Sequence, residues 1–328
     1  MTVSKKNKPE TQPISDMTKP AKPAKPAKPV KPKRKRGDRR DAALVAETDG
    51  MHALMPYILP KRADNEAVLN EKLDITKVKE YLDAKNVADV DFKYTIFHFI
   101  CAATAKTIQM RPCLNRFYAG HRLYQRNDIS FSFVVKKKFA DEAAETLVIM
   151  KYDPESEISP LEQFNSKIKK IVTKVRKTEE KSGTMDKIGF LAKIPRPIMR
   201  FLMRIMNSLD YHGKMPRSVA EDDPFYVTVF ITNLGSINMH ASYHHLANWG
   251  TNSFFCVINS IQKRPFFNDD GTYEMKESIE LGLTIDERIA DGVYFAKSLK
   301  VLRYFFEHPE AVDAPATEKF DIDLSIHH

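Results

Sequence analysis

The run YEMKESIELGLTID, residues 273–286, leads through DERIADG into DGVYFAKSLKVLRYFFEHPE. Ile279, Leu281, Leu283 and Ile285 alternate, so they share one face of a strand, and Asp286 falls on the other. Immediately afterwards Phe295, Leu299, Leu302 and Phe306 recur at helical spacing. Asp291 stands at the N-cap position, where a carboxylate accepts the first free N–H groups. Gly292 lets the chain turn tightly into the helix. A strand with an apolar face and a helix with an apolar stripe, joined by a short turn, must bury both against one core. That requirement points to layered helices on a sheet.

The remaining elements fit this frame. NEKLDITKVKEYL reads as a strand ending near Asp74 and a helix from about Thr76. TIFHFICAATAKTIQM places Phe97, Ile100, Cys101, Thr104 and Ile108 on one helical face, with Pro112 as its stop. His98 on this helix is expected to be packed. ISFSFVV alternates as a half-buried strand, ETLVIMKYD is another strand, and Leu161, Phe164, Ile168, Ile171 and Val175 mark a further helix. FYVTVFITNLG and NSFFCVINSIQ are strands, and NDDG signals a hairpin before residue 273. Mixed strands and helices with antiparallel hairpins imply an α/β protein, a mixed-sheet α+β two-layer sandwich rather than a doubly wound parallel sheet.

Charge divides the chain. Residues 1–40 carry a net +11 and the remainder a net −2, so the pI of 9.2 describes a tail. Its KPAKPAKPAKPVKPKRKRG run repels itself and lacks proline donors, so an extended tail able to contact anionic surfaces is expected. Nucleic-acid binding by the whole protein loses support. Cys101, Cys113 and Cys256 form neither a metal pattern nor a disulfide framework. No apolar run is long enough for a membrane span, and no secretory leader is apparent, so a cytoplasmic protein is expected. The domain expectation is a tail at 1–40, a folded domain at 41–308 and a loose C-terminal tail at 309–328. A helical insertion at about 183–220 interrupts the domain. In it, IPRPIMRFLMRIMNSLDYHG carries arginines every fourth residue against an apolar face. This is either an amphipathic membrane-surface or partner helix, able with the basic tail to meet anionic vesicles, or one packed on its own domain or another subunit with its arginines outward.

Four segments in order resemble one family. DERIADG, residues 286–292, resembles the Asp-His-Arg-x-x-Asp-Gly motif of dihydrolipoamide acyltransferase catalytic domains, and is similar to the His-x-x-x-Asp-Gly motif of chloramphenicol acetyltransferases. FITNLG, residues 230–235, resembles the Phe-Thr-Ile-Ser-Asn-Leu-Gly stretch. NEKLDITKVKEYL and AATAKTIQMRPCLNRFYAGHRLYQRNDISFSFVV resemble the early strand-to-helix segment and the Ala-rich helix with its Pro-x-Leu-Asn turn. Neither a lipoyl domain nor a peripheral-subunit-binding domain is apparent, which argues against membership in a dehydrogenase complex. The resemblance implies a chloramphenicol acetyltransferase-like fold. It also implies a homotrimer with active sites between subunits, and acyl-CoA and an acyl acceptor (a thiol, hydroxyl or amine) meeting in a channel without metal.

Carried across residue by residue, Thr232 falls at the position whose hydroxyl donates to the oxyanion, flanked by Asn233. Asp291 falls at the motif aspartate, whose family partner is an early arginine. Arg62 is the candidate, with a simple helix cap as the alternative. Arg288 matches the motif. Glu287 stands where the catalytic histidine belongs. Imidazole suits proton transfer at neutral pH, whereas an ordinary carboxylate is a poor base. Three possibilities follow: Glu287 is a tuned base, another residue supplies the base, or the site has lost transfer chemistry and the trimer is a binding module. For the second, NMHASYHHLANWG offers His240, His244 and His245. Trp249 either stacks on a ligand or anchors its loop.

Overall fold

The structure, a computed structural model, describes residues 34–326 apart from 47, 88–90, 137–144, 178–192, 316–317 and 319. Residues 1–33 of the tail expected at 1–40 and the start of the insertion lie outside the described residues; the end of that tail is corrected, since Arg39 is buried against the folded domain. In chain order the elements are β1 (Ala42–Leu44), α1 (Gly50–Ile58), β2 (Glu66–Asp74), α2 (Thr76–Asn86), α3 (Ile96–Met110), β3 (Arg116–Ala119), β4 (Arg122–Arg126), β5 (Ile129–Lys136), β6 (Glu145–Tyr152) and α4 (Pro160–Lys177). They continue with α5 (Arg196–Tyr211), α6 (Arg217–Ala220), β7 (Val229–Asn233), β8 (Phe254–Ile258), β9 (Gln262–Phe267), β10 (Tyr273–Asp286) and α7 (Gly292–Glu307).

The main sheet runs β2–β10–β8–β7–β5–β6, and β9 pairs with the first half of β10. The β8–β7 and β7–β5 pairs are parallel, and the rest are antiparallel. The expected mixed sheet is therefore present. β1, β4 and β3 form a second, three-stranded sheet.

Ile279, Leu281, Leu283 and Ile285 do share one face of β10, and all four enter the core with Val229, Ile231 and Cys256. Full burial of each such aliphatic side chain stabilises by about 1.5–3 kcal/mol. α2, α3, α4 and α7 contribute the other side of this core. The opposite, outer face of the sheet is not left to water. Phe230 and Phe255 stack there at 4.5 Å and pack with Leu246. The segment 237–250 lies across them, and Gly282 makes its approach possible: a Cβ at 282 would overlap the Ser242 carbonyl oxygen. The half-buried expectation for β5 is also corrected: Ser130 and Ser132 are buried along with Phe131 and Phe133, and Ser132 donates to the Pro224 carbonyl at 2.9 Å.

α3 is buried on nearly all sides, from His98 to Ile108. Thr95 and His98 form its capping box, with Nδ1 of His98 accepting from the Thr95 N–H at 3.0 Å. Burial pushes the His98 imidazole down to about 4. Lys106 is buried in the same helix and donates to the carbonyls of Ala311 and Ala314, each at 2.7 Å. Those bonds latch down the segment expected as a loose C-terminal tail. Ala311 and Val312 are core residues, and Phe320, Ile322 and Leu324 pack against the same core. Sequence alone missed this because the anchor is a lysine on a distant helix.

The insertion also differs from expectation. No residue of α5 is buried, so it does not pack its apolar face on its own domain. Among the described residues, it is held at its C-terminal end. Arg39 donates to the Asp210 carbonyl at 2.7 Å and to its carboxylate at 2.8 Å.

Two outcomes are expected. Gly282→Ala drives segment 237–250 off the sheet and lowers urea-unfolding stability by about 1–3 kcal/mol, the range for overpacking. His98 is neutral in the fold, so between about 6.5 and about 4 the unfolded chain binds the extra proton. Its contribution is complete above that window and is lost as pH falls through it. His98→Gln keeps a capping side chain at this position, and the wild-type advantage over it shrinks on acidification, as paired unfolding curves would record.

Candidate functional site

β10 ends on Asp286, which is 1% exposed on the outer face. Arg288 grips both of its oxygens, Nε to Oδ1 at 2.8 Å and a terminal nitrogen to Oδ2 at 2.7 Å. The same guanidinium donates to the Leu59 carbonyl at 3.2 Å and lies over the Tyr118 ring. Arg62 approaches from the other side, its Nε 3.9 Å from Asp286. Its terminal nitrogens donate to the carbonyls of Gly250 at 2.8 Å and Asn252 at 3.2 Å. Burial pushes the Arg62 guanidinium down, and Asp286 opposes that shift. Two buried cations thus share one buried carboxylate.

This geometry corrects the expected Arg62–Asp291 pair. Asp291 is exposed and caps α7, accepting from the Tyr294 N–H at 2.6 Å. Arg62 instead meets the carboxylate at the end of β10, because Asp286 turns outward towards it. Arg288, without a derivable role in the sequence, is the tightest contact in the cluster. Gly292 begins α7 as expected.

Glu287 follows Asp286 and is exposed. It lines a cleft of about 450 Å³ between α1, β2, the 287–291 turn and α7. Met51, Met55, Leu69, Phe295 and Leu299 give the cleft an apolar wall. Its polar members include Glu287, Asp291, Arg288 and His52. His52 escaped the sequence reading. Asp49 caps α1 through the His52 N–H at 2.9 Å and holds the imidazole Nδ1 at 2.6 Å. The Asp49 carboxyl lies below its ordinary range, chiefly through that backbone bond. An ionised carboxylate only accepts, so Nδ1 carries the proton and Nε2 is the basic nitrogen. The available signal was an Asp-x-x-His spacing at a helix start.

Thr232 lies on the outer face of β7, paired with Val257, which in turn pairs with Gly282. Gly282 is four residues before Asp286, about 13 Å along the strand. The histidines lie in the outer cover. His244 sets its ring edge-on to Phe255 at 5.5 Å, and burial followed by the neighbouring His245 pushes it below the ordinary range. His245 meets Glu66 at 3.1 Å, and His240 meets Glu280 at 3.2 Å. Asn233 caps the turn after β7, accepting from the Ser236 N–H at 3.2 Å. Trp249 anchors its loop by donating to Asp223 at 2.5 Å. One chain therefore does not bring Thr232 together with Glu287. The histidines lie in the outer cover, where His245 reaches, through Glu66, the register position opposite Asp286, and Glu287 lines a cleft on the helix side. Among the described residues, no three His, Cys, Asp or Glu side chains gather as a metal site.

Residues 214–313 match the family described as 2-oxoacid dehydrogenases acyltransferase (catalytic domain). The matched span holds Thr232, the histidine-rich cover and the 286–292 motif, so the resemblance seen in those residues stands. No curated protein matches the chain. Among solved structures, a probable dihydrolipoamide acetyltransferase from Listeria monocytogenes 4b F2365 is 19% identical with a TM-score of 0.52, over 80% of this chain and 93% of that one. The cubic core of the pyruvate dehydrogenase multienzyme complex gives 16% and 0.53, over 82% and 94%. Azotobacter vinelandii dihydrolipoamide acetyltransferase gives 16% and 0.53, over 81% and 93%. The expected acyltransferase-type fold is thereby borne out.

Removing the central carboxylate tests the ion cluster. Asp286→Asn leaves Arg62 and Arg288 buried without a counter-charge and costs about 3–5 kcal/mol. Denaturant unfolding of this variant beside Asp291→Ala, which loses only an exposed cap worth about 1 kcal/mol, would separate the two aspartates.

Proposed function

We propose that the protein is an acyltransferase. It takes an acyl group from a coenzyme A thioester and passes it to a thiol, hydroxyl or amine in the cleft beside Glu287. The observation that carries this reading is the pairing, in one apolar cleft, of Glu287 with a histidine oriented by a carboxylate. Coenzyme A enters as substrate. No step requires a metal.

His52 is the general base in this reading. Asp49 fixes its tautomer and ring, leaving Nε2 to accept the acceptor's proton. The acceptor then attacks the thioester carbonyl, the tetrahedral intermediate collapses, and the C–S bond breaks as His52 returns its proton to the departing sulfur, releasing coenzyme A as its thiol. Glu287 positions the acceptor by accepting a hydrogen bond from a second donor group on it, since the reacting proton goes to His52. The excess positive charge of the Arg62–Asp286–Arg288 cluster lies behind the turn and favours the developing oxyanion. Thr232 serves as the oxyanion donor only if a second copy presents its outer sheet face to this cleft. A homotrimer supplies that arrangement, and the site is then shared between subunits.

The full chain is expected to bind coenzyme A saturably in the micromolar range by calorimetry. With an acceptor found by screening thiols, alcohols and amines for coenzyme A release, His52→Gln lowers kcat by about 10²–10⁴-fold, the usual worth of a general base. Glu287→Gln raises KM more than it lowers kcat. Turnover that survives His52→Gln but is abolished by Glu287→Gln would assign the base to Glu287. No binding at millimolar coenzyme A would refute the reading.

A further inference from the structure

α5 exposes Ile198, Phe201, Leu202 and Ile205, with Phe201 62% exposed. At 100° per residue the apolar positions from Phe201 round to Met203 span about 200° of the helix. Arg196, Arg200 and Arg204 fill the opposite side. No Asp or Glu occurs between Arg196 and Leu209.

Among the described residues, the contacts that hold the helix lie at its root. Beyond the Arg39–Asp210 contacts, Tyr211 meets His121 at 3.1 Å. The Tyr211 carbonyl lies where a Cβ on Gly120 would be. His121 stacks on Tyr57 of α1 at 4.6 Å, and α1 exposes Met51, Leu54 and Ile58. Two amphipathic helices with uncovered apolar residues are therefore linked through one aromatic contact. An isolated helix of this length is marginal in water, and an apolar patch this continuous marks a binding surface.

We propose that α5 is an interfacial anchor that lies in the headgroup region of an anionic lipid bilayer, with its Ile198–Leu202–Ile205 face inserted. Two observations favour lipid over a second copy of this chain. The apolar arc is about twice the width of a two-position helix–helix seam. The charge is also one-sided. A copy of α5 offers only more arginine, whereas anionic headgroups offer counter-charge to three arginines whose stems reach past the apolar edge. The net +11 of residues 1–40 adds attraction to the same kind of surface. The proposal is independent of the acyl-transfer reading.

The test is co-sedimentation of the full chain with vesicles of phosphatidylcholine alone or with about 30% phosphatidylserine, at low and high salt. Wild type should bind the anionic vesicles and keep part of that binding at high salt, because apolar insertion is not screened. Leu202→Glu/Ile205→Glu alters exposed side chains, so the fold should persist by circular dichroism, while affinity falls about tenfold or more and the remainder becomes salt-labile. In a chain lacking residues 1–33, Arg196→Gln/Arg200→Gln/Arg204→Gln should lose the preference for phosphatidylserine that the deletion alone leaves in place. Unchanged binding by the double glutamate variant would overturn the proposal, since charge alone would then account for it. So would a wild-type chain that ignores vesicles but loses an oligomer, by light scattering, on the same substitution.

Discussion

The chain's candidate chemistry hangs on one buried carboxylate. Asp286 ends the long strand β10 and is held by Arg288 two residues on and by Arg62 from a distant turn. A buried charge is tolerated only when paired and hydrogen-bonded. Here the pairing fixes where the strand stops and where the 287–291 turn points. Glu287 is placed in the cleft because its neighbours on either side are locked. Arg62 also binds the Gly250 and Asn252 carbonyls, so the same cluster ties the end of the outer cover to the site.

The sheet then separates two sets of polar residues. Gly282 lets segment 237–250 lie on the outer face, where His244 sits on Phe255 and His245 on Glu66. The helix side holds Glu287 and the Asp49-bound His52. Both faces of the second half of β10 are buried, and the helix side opens a cleft at its end. A trimer in which one chain's outer face meets another's cleft would unite the two sets, and it supplies a physical reason for a shared site.

Much of the fold was legible because it depends on local periodicity. The alternation in β10, the stripe in α7, the Asp291 cap and the strand-to-helix passage at Asp74–Thr76 all appear in the structure. What sequence could not show depends on contacts between distant residues. Lys106 holding the C-terminal segment, Arg62 choosing Asp286 over Asp291, and loop 237–250 covering the outer face all join parts of the chain far apart in number. Motif transfer found Glu287 and Thr232 but not His52, because no motif covers α1. The apolar face of α5 was plain in the sequence. That its own domain leaves it uncovered was not.

A crystal structure of the chain with acetyl-CoA bound tests the central claim most directly. The account predicts the thioester carbonyl in the cleft between α1 and α7, within hydrogen-bond reach of His52 or an acceptor atom that His52 contacts, and beside Glu287. Density for the thioester elsewhere on the chain, or an empty cleft at saturating acetyl-CoA, would contradict it.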